Sequence, residues 1–68
     1  MGGNMTQKEL LYVEDAIGHE KSIIKICENM EKMLSDERLT TFISKEKEKH
    51  QDLKNILMDL LKEKANGQ

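Results

Sequence analysis

Leu34-Ser35-Asp36-Glu37-Arg38-Leu39 separates two helical patterns that do not share a register. Ahead of it, Leu10, Val13, Ile17, Glu20, Ile24, Cys27, Glu31 and Leu34 fall at alternating intervals of three and four, the spacing of one helix face. One uninterrupted helix would carry that line through Arg38, Thr41 and Lys45. The apolar residues are instead Leu39, Phe42, Ile43, Leu53, Ile56, Leu57, Leu60 and Leu61. The seam shifts where Ser35 or Asp36 can cap a new helix, and Asp36 and Glu37 suit the positive end of its dipole. The reading is an all-α antiparallel helical hairpin.

The first helix is expected over about residues 7–34. Thr6 and Glu9 have the capping-box spacing, and Met5 and Leu10 that of a hydrophobic staple. Leu11, Ala16, Ile23 and Met30 widen the apolar stripe, while Gly18 costs the helix about 1 kcal/mol against alanine. Either close helix approach or a tolerated weak spot accounts for that glycine. The second helix is expected over about residues 36–64, ending at the stop signal Ala65-Asn66-Gly67. Its core-facing line reads Ile43, Glu46, His50, Leu53, Leu57 and Leu60, flanked by Leu39, Phe42, Ile56 and Leu61. Residues 5–65 then form a single domain. Helices of roughly 40 Å each leave an apolar face uncovered. Pairing two hairpins into a four-helix bundle, burying Ile17, Ile24, Leu53, Leu57 and Leu60, is the expected remedy.

Composition narrows the function classes. A chain of 68 residues is short for a self-sufficient core, and its one cysteine allows no internal disulfide. Eleven basic against thirteen acidic residues leave no excess charge for a nucleic-acid backbone. No apolar run approaches the length of a membrane span. The amino terminus lacks the pattern of a secretory signal, so a cytoplasmic location is expected, consistent with a free cysteine. Gly2 and Thr6 superficially match a myristoylation signal, although leading glycines are equally a floppy lead. No Ser/His/Asp set, phosphate-cradling glycine loop or dinucleotide fingerprint is present, and no catalytic residue is assigned.

Polar residues on the buried lines carry what chemistry there is. Glu20 and Glu31 interrupt the first stripe, Glu46 and His50 the second. Folding about Ser35 and Asp36 sets Glu20 level with His50 or Gln51, and the i, i+4 pair Glu46 and His50 shares one face. Two copies around a two-fold axis would bring six such ligands together, a set suited to iron or manganese, with zinc a further option. The plainer reading pairs these glutamates with Lys21, Lys25, Lys47 or Lys49.

GHEKSII on the first helix, with LSDERLTTFISKEKEKHQDLKNIL across the turn and second helix, resembles half of a ferritin-like protein, especially the rubrerythrin-like and spore coat protein F-like hairpins. The resemblance covers residues 11–61. It implies a first-helix glutamate and a Glu-x-x-His pair holding two metals between four helices, which places Glu20 and His50 as ligands. The glutamate due three residues before that histidine is here a lysine, Lys47. Glu46 is the neighbouring carboxylate that shares the buried face. The spore coat branch implies a structural protein with an incomplete metal set.

The remaining residues read plainly. Cys27 is expected as a small buried hydrophobe and His19 as a surface residue. Tyr12 is expected to pack at an edge, and Met30, Met33 and Met58 to fill the core adaptably. The charged stretch 44–54 reads as a solvated face. The leading expectation is a self-associating structural or interaction protein, homo-oligomeric, which the resemblance ties to the spore coat. The alternative is a di-metal protein or oxidoreductase completed across a dimer through Glu20, Glu46 and His50.

Overall fold

The computed structural model describes residues 5–66. Helix α1 (Gln7–Met33) and helix α2 (Glu37–Asn66) pack side by side, forming a rod of 48 × 16 × 15 Å. Gly2, of the myristoylation-like pattern, and Gly67, of the expected stop signal, lie outside the described residues.

Local hydrogen bonds explain each boundary. The Glu9 backbone N–H donates to Thr6 Oγ1 at 3.1 Å, and the Thr6 N–H donates to Glu9 Oε1 at 2.8 Å, closing the capping box. At the other end Leu34 turns to extended backbone (φ −87°, ψ 137°), while its N–H still donates to the Met30 carbonyl at 2.9 Å. Asp36, not Ser35, caps α2. Its Oδ1 accepts from the N–H groups of Arg38 at 2.8 Å and Leu39 at 3.1 Å, satisfying two donors that have no partner within the helix.

Burial on α1 follows the expected line closely. Ile17, Glu20, Ile24 and Cys27 are buried, and Leu10, Val13, Glu31 and Leu34 are half-buried along the same face. On α2 the line is displaced from expectation. Ile43, Lys47, His50, Lys54, Leu57 and Leu61 are half-buried, whereas Leu53 and Leu60 are exposed. The apolar arc of α2 is wider than one neighbouring helix can cover. α1 takes one edge of it, where the aliphatic stems of Lys47 and Lys54 can lie along the contact. Met30, Met33 and Met58, expected as core filling, are exposed as well. Tyr12 is exposed, with Lys8 Nζ standing 5.9 Å from its ring centre. Among the described residues no helix is long and apolar enough to cross a membrane.

Candidate functional site

Polar contacts at two levels bridge the helices, and both use glutamates from the buried line of α1. Near mid-length, His50 Nδ1 lies 2.5 Å from Glu20 Oε1, with the carboxylate as acceptor. Glu20 is buried beside Ile17 and Ile24 in sequence register, and His50 is half-buried. The fold-back that sets Glu20 level with His50 therefore produces the contact expected from the numbering. A hydrogen bond between Nδ1 and a carboxylate fixes the plane of the imidazole and leaves Nε2 on its opposite edge.

Closer to the turn, Glu31 accepts from two donors on α2. Lys47 Nζ donates to Oε1 at 2.8 Å and Ser44 Oγ to Oε2 at 2.5 Å. Both carboxylate oxygens are thereby engaged. The hydrogen bond from Lys47, then that from Ser44, holds the Glu31 carboxyl below its ordinary range against an opposing push from desolvation. The same bond to Glu31 holds the Lys47 ammonium above the ordinary lysine value. Side chains in α1 lean toward its amino end and those in α2 toward the turn, so Glu31 and Lys47 meet although they start at different depths. Pairing of Lys47 with a buried-line glutamate follows the plainer expectation. Ser44 is the member that pattern reading misses. Its only signal is the i, i+3 relation to Lys47.

Glu46 is not drawn into either contact. It is half-buried on the flank of the α2 line that faces α1, where its Oε2 accepts from Lys49 Nζ at 3.0 Å. Of the three expected metal ligands, one chain brings Glu20 and His50 together and leaves Glu46 apart. Among the described residues no three His, Cys, Asp or Glu side chains are placed to hold an ion. A site of the expected composition would need Glu46 to leave Lys49 and a second chain to supply the remaining ligands. Cys27 is buried on the same α1 face, and His19 is exposed, each as its position predicts. Every buried side-chain nitrogen and oxygen among the described residues has a hydrogen-bond partner. Two helices in contact enclose no cavity among those residues. No family model, no curated protein and no solved structure matches the chain.

Proposed function

We propose that the protein acts by self-association, as a small structural or interaction protein whose working form is a bundle of two or more hairpins. The observation that carries this is the imbalance between what the hairpin buries and what it leaves in water. Among the described residues its buried apolar side chains are Ile17, Ile24 and Cys27, while Phe42 and Ile56 stand 58% and 63% exposed. An isolated chain with so thin a core is marginal, and contiguous exposed apolar surface of this kind marks an association site. The resemblance to spore coat protein F-like hairpins supports a structural role and a coat location. Sedimentation at micromolar concentration tests the reading. Twice the 7.9 kDa chain mass or more is expected, and a stable monomer at high concentration overturns it.

The Glu20–His50 contact favours one second reading, a ferritin-like di-metal site shared between hairpins. Bringing Glu20, Glu46 and His50 from two chains together without a cation is costly, because like charges repel and lose solvation. Binding would then raise the melting temperature. The expected result is a rise with Fe(II), Mn(II) or Zn(II) that Glu20→Gln and His50→Ala both abolish. No shift in the parent removes this reading and leaves self-association standing.

A further inference from the structure

We propose that two copies pair through the outer stripe of α2, antiparallel, so that Glu46 of each chain meets Lys49 of the other. The proposal rests on the self-association reading and specifies its face, orientation and register.

On α2 a second seam runs to one side of the line that faces α1, all its members exposed except the half-buried Glu46. Leu39, Phe42, Glu46, Lys49, Leu53 and Ile56 recur at intervals of three and four. The four apolar members are 50%, 58%, 42% and 63% exposed in chain order. A matching seam on α1 runs through Tyr12, His19, Ile23, Ile26 and Met30. Counted at about 100° per residue, each outer seam lies roughly 100° back from the line that faces the other helix. Because the helices are antiparallel, equal backward rotations carry both seams to one side of the hairpin. The opposite side presents exposed Lys21, Lys25, Glu28 and Lys32 on α1, and Glu48 and Lys62 on α2. Leu11 and Met58 are exposed away from the seams, so one face of the hairpin is mainly apolar and the other mainly charged.

The α2 seam is symmetric about the point between Lys47 and Glu48. Reversal about that point sends Leu39 to the position of Ile56, Phe42 to that of Leu53, and Glu46 to that of Lys49. A stripe that maps onto itself under reversal, with unlike charges exchanged, is complementary to a second copy of itself across a two-fold axis. The same reversal in α1, whose matching level by the fold-back falls between Ile23 and Ile24, keeps Ile23 of the two chains together near the axis. Both helices thus find their partners in one register. The alternative two-fold, parallel to the helices, lays α2 on the partner's α1 and sets Glu46 and Lys49 against Ile23 and Ile26. That arrangement desolvates an ion pair with nothing added to it. In the antiparallel pair the four charges alternate around the axis, and a polar layer within an apolar seam fixes orientation and register.

Area agrees with a second copy as the occupant. The chain exposes 5326 Å², whereas a folded monomer of this mass exposes about 4400 Å². The excess is close to the roughly 800 Å² that each partner contributes to a standard interface.

Cross-linking and charge reversal test the arrangement together. In a Cys27→Ala background, chains carrying Phe42→Cys and chains carrying Leu53→Cys are mixed and mildly oxidised. A disulfide-linked heterodimer is expected, with little linkage of either variant to itself. Separately, Glu46→Lys should weaken dimerisation about tenfold or more at unchanged helicity, and adding Lys49→Glu should restore it. A monomeric parent overturns self-association and this arrangement with it. A dimeric parent whose Phe42→Cys chains link to themselves, or whose dissociation constant ignores both Glu46→Lys and Ile56→Asp, overturns the arrangement alone.

Discussion

Gly18 stands in the middle of α1 with ordinary helical backbone, and no neighbouring group lies within 4 Å of where its Cβ would be. Of the two explanations its position allows, close helix approach is therefore excluded within the hairpin and a tolerated weak spot remains. Gly18→Ala should stabilise the protein by about 1 kcal/mol, raising the melting temperature by roughly 4–8 °C for a domain of this size. Differential scanning calorimetry checks it, and a loss of stability would mean that the charged face packs against something. Residues with local partners were the easiest to read. Thr6, Glu9 and Asp36 act within four positions of themselves, so their roles are legible in the sequence without knowledge of the fold. Choosing Asp36 over Ser35 needed coordinates, because either residue has a side-chain oxygen suited to the cap.

Between the helices, the Glu31–Lys47 contact makes stability depend on pH in a defined direction. The Glu31 carboxyl is held below its ordinary value, so its contribution is complete above the usual carboxylate range and is lost as pH falls through the lowered folded value. The Lys47 ammonium is held above the ordinary lysine value, so its contribution is complete below that value and is lost as pH rises through the raised one. The pair supports the hairpin across the neutral range and fails at both extremes. Melting curves from acid to alkaline pH should show the parent losing more stability in acid than Glu31→Gln does. Equal acid limbs would show that the pair contributes nothing. Periodicity exposed the α1 line because α2 covers its middle, from Ile17 to Cys27, and half-covers its ends. It misplaced the α2 line because the apolar arc there serves two directions, and a sequence pattern does not say which edge α1 takes. Lys54 and Leu61 are therefore half-buried where the pattern expects Leu53 and Leu60, and Lys47 joins the half-buried Glu46 beside the contact.

Taken as a molecule, the hairpin is long for its mass. Its radius of gyration is 15.3 Å, against about 11 Å for a compact domain of this length. Folding coupled to association makes the melting temperature rise with protein concentration. A hundredfold dilution should lower it measurably, and a concentration-independent transition would identify a chain that folds alone. The antiparallel helix pair was legible because its evidence is internal to the chain: a register change, two capping sites and faces of matching length. Of the candidate site, Glu20 beside His50 followed from depth along the fold-back. The displacement of Glu46 did not, since rotation of α2 about its own axis is set by packing.

The connection between the helices contains neither glycine nor proline, and among the described residues no backbone takes a positive φ. No residue there forbids a helix from running straight through. The reversal of direction rests on the Asp36 side chain and on an extended Leu34, both ordinary L-residues in ordinary conformations. Drift at this short connection has a gradual path from a folded-back hairpin to a straight rod twice as long. Two such rods could recover the same intramolecular contacts by exchanging halves. Folded-back and half-exchanged bundles are, for a chain of this design, separated by the conformation of three residues.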